Sequence, residues 1–92
     1  MEKETIIHYI LQTNFGDFIG TGGVIPTAIK YEKNPDFARR WDHVSSASNA
    51  ADAINNRFIT EGKYDLRVRV VERKVTVEYK AINDFPTNHS NS

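Results

Sequence analysis

The stretch DLRVRVVERKVTVEYK, at residues 65–80, constrains the fold more than any other part of the sequence, because apolar and charged side chains alternate along it. Alternation with a period of two is typical of a β-strand that buries one face. The apolar positions are even up to Val70 and odd from Val75 onward. A single straight strand would therefore change faces midway, so the pattern predicts a hairpin that turns between these two valines.

This predicted C-terminal hairpin has a definite register. Folding the stretch at its midpoint places Val68 opposite Val77 on an apolar face. On the other face it places Arg67 opposite Glu78, which is a pair of opposite charge. Because the midpoint lacks the Asn-Gly pair that a two-residue hairpin loop prefers, a four-residue loop over residues 71–74 is expected. Cross-strand pairing thus explains the charges without a ligand.

Another hairpin is predicted near the start of the chain. Residues 5–13, TIIHYILQT, are β-branched and aromatic, and they are apolar on both faces of a strand. Residues 13–16, TNFG, fit a turn with Gly16 in the left-handed conformation, and a return strand over residues 17–20 follows. Because one helix covers only one face, the other face needs cover from the loop at residues 20–31, from a second copy or from a partner.

The glycine-rich segment GTGG, at residues 20–23, predicts a bent connector. A phosphate-binding loop would need Gly-Lys-Ser/Thr and a helix directly after it, whereas here the extended sequence Val-Ile-Pro follows. Pro26 restricts residues 24–31 to a short or edge strand. The tripeptide NPD at residues 34–36 has the cap, proline and acid of a helix start, so one or two helical turns are expected there. Trp41 is expected to close the edge of the core.

A longer helix is predicted in the middle of the chain. Its core-facing side chains recur at the helical period, and they are Ala47, Ala50, Ala51, Ile54 and Phe58. Either Ser45 or Ser46 can cap its start, and Gly62 suits the position just after its end. The alanines allow this helix to lie close to a sheet.

These elements predict the fold class α+β, in the order ββαββ, with a mostly antiparallel four-stranded sheet and one main helix packed on one face. Residues 1–82 are expected to form a single domain, and residues 83–92 are expected to be a disordered tail. The sheet face away from the helix is the candidate contact surface. Its expected residues are Arg67, Arg69, Thr76, Glu78, Lys80 and His8.

Composition weighs against several classes of function. Twelve Lys and Arg balance twelve Asp and Glu, whereas a sequence-independent nucleic-acid binder normally has a net basic surface. The chain has no cysteine, and its three histidines lack the spacing of metal ligands. No catalytic, cofactor-binding or metal motif is present, so we expect no enzyme activity and no cofactor. The absence of a signal-like or membrane-spanning stretch favours a cytoplasmic location.

The layout of residues 5–58 resembles a known group of proteins. The hairpin sequence YILQTNFGDFIG is followed by FARRWDHVSSASNAADAI, which contains a spaced set of small, aromatic and polar residues: Ala38, Trp41, Asp42, Ser45 and Ala50. This arrangement resembles small uncharacterised proteins encoded by phages and prophages of Firmicutes. The resemblance implies no activity and no site residues. It implies an accessory protein of a mobile element that acts by binding something.

Two functions are compatible with these residues. In the first, the chain is a non-enzymatic protein-binding module that associates with itself or acts on a host or defence protein, such as an immune nuclease. In the second, it binds nucleic acid through basic residues of the C-terminal strand region, with Tyr79 or Tyr9 nearby: Arg67, Arg69, Arg73 and Lys74. Salt separates the two, because phosphate binding weakens steeply as salt rises whereas an apolar protein contact need not.

Overall fold

The structure, a computed structural model, describes residues 2–86, which contain one α-helix and a four-stranded antiparallel sheet. The elements in chain order are β1 (Glu2–Thr13), β2 (Phe18–Ile19), β3 (Tyr31–Glu32), a 3-10 turn (Pro35–Phe37), α1 (Val44–Thr60) and β4 (Val68–Tyr79). The strands lie side by side in the order β3-β2-β1-β4. The predicted class, α+β with one main helix packed against a four-stranded antiparallel sheet, is confirmed.

The C-terminal hairpin predicted for residues 65–80 is wrong. Instead, β4 is one continuous strand that pairs antiparallel with β1 along its whole length. Val68 lies opposite Thr13 at one end, and Tyr79 lies opposite Glu2 at the other. Three strands therefore precede the helix and one follows it, in place of the predicted two and two.

The apolar positions of β4 change from even to odd numbers along the strand, and the cause is not a turn. Side chains alternate between the two faces of a strand, so Val68 and Val70 lie on the helix side while Val75 and Val77 lie on the other side. Val68 packs in the core beside α1. Val75 lies farther along the strand, where the segment that follows β3 approaches the opposite face. Different elements therefore approach the two sides of the strand, which accounts for the change of apolar phase without a turn.

The helix α1 supplies four of the seven buried residues of the main core cluster, as its spacing predicts. Its buried side chains are Ala47, Ala51, Ile54 and Phe58, with Ala50 packed at the margin. They form one cluster with Leu11, Ile19 and Val68 of the sheet. Trp41 also packs against this cluster, as expected of a residue at the core edge.

The two ends of α1 differ in how well the sequence predicts them. Gly62 follows the helix with φ 76°, and its N–H donates to the Ile59 carbonyl at 3.1 Å. The Lys63 N–H donates to the Phe58 carbonyl at 2.8 Å, which completes a Schellman motif. At the start, the cap position is His43 and no side chain caps the helix. The predicted serine cap is therefore wrong.

The N-terminal hairpin has the predicted turn. Gly16 has φ 97°, and its N–H donates to the Thr13 carbonyl at 3.0 Å. The loop after β2 packs Ile25 and Ile29 against the main core and so does not cover the opposite face of β1. Gly23 is needed in this loop because a Cβ there would lie 2.0 Å from a backbone oxygen.

The segment that follows β3 covers the other face of β1 instead. The Asn34 side chain accepts a hydrogen bond from the Asp36 N–H at 2.9 Å and starts a single 3-10 turn. Asp36 lies on the face of the sheet away from the helix. Trp41 then exchanges two backbone hydrogen bonds of 2.9 Å with Tyr9, which join the segment to the edge of β1. Ile10, on the face away from the helix, is only 1% exposed. Near the core, elements of the same chain therefore bury the apolar side chains on both faces of β1.

Of the predicted tail, residues 83–86 are exposed and have no regular secondary structure. Residues 87–92 lie outside the described residues.

Candidate functional site

The outer halves of β1 and β4 form a two-stranded arm that projects from the body of the protein. We define the arm as residues 2–7 and 74–79. Apart from the half-buried Val75, all of its residues are exposed. Six strand residues at about 3.4 Å each give the arm a length of about 20 Å.

The arm exposes large apolar side chains. Ile6 and Val77, on the face away from the helix, are 41% and 40% exposed. Ile7, on the other face, and Tyr79, near the tip, are also exposed. A two-stranded ribbon is only marginally stable in water when nothing packs against it. Because contiguous exposed apolar surface marks an interaction site, the arm is the candidate site of this protein.

The outer edge of β4 carries unused backbone hydrogen-bonding groups. The Asn55 side chain accepts from the Val68 N–H at 2.9 Å and donates to the Val68 carbonyl at 3.1 Å, so both groups of Val68 point away from β1. Backbone groups alternate sides along a strand, so those of the other even-numbered residues, up to Glu78, also point outward. No strand within residues 2–86 pairs with this edge.

His8 lies at the base of the arm in a buried setting. Its side chain is 4% exposed, and neither ring nitrogen has a hydrogen-bond partner among residues 2–86. Arg73 lies directly opposite on β4. The Arg73 guanidinium donates to the Pro35 carbonyl at 3.1 Å and pairs with the Asp36 carboxylate. These contacts hold the 3-10 turn against the arm.

The charge around His8 follows from these neighbours. Burial lowers the pKa of His8 below its ordinary value of 6.5, and the positive charges of Arg40 and Arg73 lower the pKa further. The Asp42 carboxylate acts in the opposite direction but is the smallest of the four influences. His8 is therefore held neutral in the folded protein at neutral pH.

The free energy of unfolding should fall as pH decreases below about 6.5. The unfolded chain then takes up a proton at His8 that the folded chain resists, so protonation stabilises the unfolded state. This loss begins near the unfolded pKa and continues down to the lowered folded pKa. Urea unfolding at pH 7.5, 6.0 and 5.0 measures the free energy of unfolding.

His8→Leu should flatten the pH dependence of the free energy of unfolding in this window. His43→Gln, at an exposed position, should retain that dependence. Equal slopes in wild type and His8→Leu would contradict the assignment.

The predicted contact residues do not form one surface. Arg67 and Arg69 are exposed at the end of β4 away from the arm, where the Arg69 guanidinium donates to the Gln12 side chain at 3.0 Å. His8 is on the same face of the sheet as Arg69 but is buried. It is therefore unable to act as an exposed contact residue in this conformation.

The other predicted contact residues lie on the arm or beyond it. Thr76 and Glu78 are exposed but lie on the helix side of the sheet, because β4 is one strand and not two. Glu78 pairs with Lys3 across the arm at 3.4 Å. Lys80 follows the end of β4 and is exposed.

Sequence reasoning missed the N-terminal half of the arm, because the predicted strand began at Thr5. No glycine, proline or other turn residue separates residues 2–4 from the apolar residues that follow. That continuity is the signal that extends the strand to Glu2. The role of Arg73 in holding Asp36 depends on a contact between distant parts of the chain, and no local pattern signals it.

No group of three or more His, Asp or Glu side chains within residues 2–86 is arranged to hold a metal ion. In the same part of the chain, no helix has the length and apolar character needed to cross a membrane. Comparison with protein-family models, curated proteins and solved structures finds no match to this chain.

Proposed function

We propose that this protein is a non-enzymatic protein-binding module whose contact surface is the arm. The observation that carries the proposal is a two-stranded ribbon with exposed apolar residues on both faces and an unpaired outer edge. Sheet edges of this kind bind other chains by strand addition, in which backbone hydrogen bonds supply affinity and side chains supply specificity. Its proposed setting is the cytoplasm of a bacterial host, as a phage or prophage accessory protein acting on a host or defence protein.

The charges of the arm favour a protein partner over nucleic acid. Lys3 and Glu78 neutralise one another across the ribbon, so the arm has no continuous basic strip. Of the basic residues in the alternative nucleic-acid hypothesis, Arg67 and Arg69 lie at the start of β4, away from the arm. The Arg73 guanidinium is paired with Asp36, and only Lys74 of this set lies on the arm. Phosphate binding generally needs a basic surface, which the balanced charge of this chain does not provide.

Ile6→Lys should abolish partner capture while leaving the fold intact, because Ile6 is exposed on the arm. The wild-type protein is used as bait in a nuclease-treated Firmicutes lysate, and captured proteins are identified by mass spectrometry. The matched control is Ile59→Lys, which makes the same chemical change at a 58% exposed position on α1. Proteins captured by wild type and by Ile59→Lys, but lost with Ile6→Lys, are the expected result.

Three kinds of outcome would contradict this function. Capture that survives Ile6→Lys would place the contact outside the arm. Capture that occurs in an untreated lysate but not in the nuclease-treated one, or capture that falls steeply between 50 and 200 mM salt, would favour the nucleic-acid hypothesis. Loss with Arg69→Ala but not with Ile6→Lys would point in the same direction.

A further inference from the structure

We infer that the outer edge of β4 pairs antiparallel with the same edge of a second copy of this chain, with a two-fold axis at Thr76. The inference rests on the proposed role of the arm and names the first partner of that surface. In such a dimer the pairs are symmetric about Thr76. The residue two positions before Thr76 in one copy, for example, faces the residue two positions after Thr76 in the other copy.

The backbone limits which registers are possible. Only the even-numbered residues of β4 have outward N–H and C=O groups, as the Asn55 bonds to Val68 establish. Even residues must therefore face even residues across the new edge. The pairing of Val68 with Val77 is excluded between copies as well, because the backbone groups of Val77 point toward β1. A two-fold axis that passes through a residue position satisfies this requirement.

Charge then selects the register. An axis at Thr76 places Lys74 opposite Glu78 of the second copy, and Glu72 opposite Lys80. Each is a pair of opposite charge, and each occurs twice because of the symmetry. Directly opposite charges of this kind stabilise an antiparallel pair, whereas like charges destabilise it.

Every other axis between residues 72 and 78 places like charges opposite one another. Four of these positions set a charged residue against its own copy: Glu72, Arg73, Lys74 and Glu78. An axis at Val75 sets Glu72 against Glu78, and an axis at Val77 sets Lys74 against Lys80. Thr76 is the one position in this range that avoids all such pairs.

The same register joins the apolar residues of the two arms. Val75 faces Val77 of the second copy on the side away from the helix, where Ile6 already lies opposite Val75. The exposed Ile6 and Val77 of both copies thereby join one apolar face. Arg73, whose guanidinium is paired with Asp36, faces the exposed Tyr79 of the second copy, so this pair introduces no like-charge contact.

The other face gains a row of alternating charge. Glu78 is already paired with Lys3 of its own chain at 3.4 Å. In the dimer it lies between that lysine and Lys74 of the second copy. The edge of β1 offers no comparable pattern, because an axis at Glu4 sets that carboxylate against its own copy and an axis at Thr5 sets Lys3 against Ile7.

A charge exchange between two variants tests both the dimer and its register. The molar mass of the wild-type protein is measured by light scattering across a concentration series, and a dimer is expected. Lys74→Glu alone and Glu78→Lys alone should each raise the dissociation constant about tenfold or more, because each replaces two opposite-charge pairs with two like-charge pairs. An equimolar mixture should recover the wild-type dissociation constant, because the mixed dimer again has opposite charges at both positions.

Cross-linking provides a test that does not depend on charge. The chain has no cysteine, so Thr76→Cys introduces a single thiol, and the two copies of this thiol lie on Cα atoms about 5.5 Å apart in the dimer. A short bis-maleimide should join them. Arg69→Cys is the control, because the two copies of that position would be about 45 Å apart along the paired strands.

A wild-type protein that stays monomeric at all concentrations would overturn the inference. It would also be overturned by a mixture whose dissociation constant is no lower than those of the two variants alone, or by cross-linking that is as efficient at residue 69 as at residue 76. If Ile6→Lys nevertheless loses a captured protein, the proposed function stands and only the self-pairing fails. If Ile6→Lys loses nothing, the role of the arm itself fails.

Discussion

Ile54→Asp should unfold the domain. The Ile54 side chain has no solvent exposure and lies in the cluster where α1 meets the sheet. A carboxylate at this position has no positive partner in the surrounding apolar cluster, and burying an unpaired charge belongs to the few changes that cost more than about 4 kcal/mol. Small domains are stable by about 5–15 kcal/mol, and short chains bury too little surface to lie near the upper end of that range, so a loss of this size removes most of the stability of a domain near the lower end. Circular dichroism during thermal and urea unfolding measures the change.

The matched control is Asn56→Asp. It introduces the same side chain two positions along the same helix, but at an exposed position. Its effect on the free energy of unfolding should remain within about 0.5 kcal/mol. Similar losses from both variants would mean that the apolar stripe of α1 does not face the sheet.

Asn55→Ala should cost about 2–4 kcal/mol. Asn55 is the side chain that ties α1 to β4, because it bonds both the N–H and the carbonyl of Val68. Val68 is only 7% exposed, so removing the amide leaves two backbone groups without partners in a largely dry position. Alanine also has the higher helix propensity, so any loss comes from these two bonds.

Asn49→Ala is the comparison for this second experiment. Asn49 lies in the same helix and is exposed, so its replacement should be neutral or slightly stabilising. The shift of the urea midpoint at constant slope gives the difference between the two variants. If both behave alike, Asn55 does not hold the helix to the strand.

The parts of the fold that local patterns encode are predictable from this sequence. The apolar stripe that includes Ile54 and Phe58 has the helical period, and the structure buries both side chains. The turn at Gly16 needs a left-handed residue, and φ there is 97°. Each of these features depends on residues within a few positions of one another, so the sequence contains the necessary information.

The pairing of β4 could not be predicted in the same way. Alternation shows that residues 68–79 are extended, but it does not identify the neighbouring strand. The stretch complements itself well enough to suggest a hairpin, whereas its partner in the chain is β1. The choice depends on where the end of the helix places the start of β4 relative to β1, which is a property of the whole fold.

The predicted contact residues do not share one surface, for a related reason. It assumed that one face of the sheet is covered and the other is open along its whole length. In the structure the helix covers one side near the core, the segment around Asp36 approaches the other side, and the arm extends beyond the core. His8 is buried as a result, whereas Ile6 is exposed.

The pairing of β1 with β4 also orders the events of folding. Facing residues are separated by 55 positions at Thr13–Val68 and by 77 at Glu2–Tyr79. Such distant contacts form slowly, since a long loop must close before any of them is made. Once the pair nearest the core has formed, each further pair lengthens the loop only slightly and adds little closure entropy. We therefore expect pairing to proceed outward from the core, with the tip of the arm ordering last and fraying first.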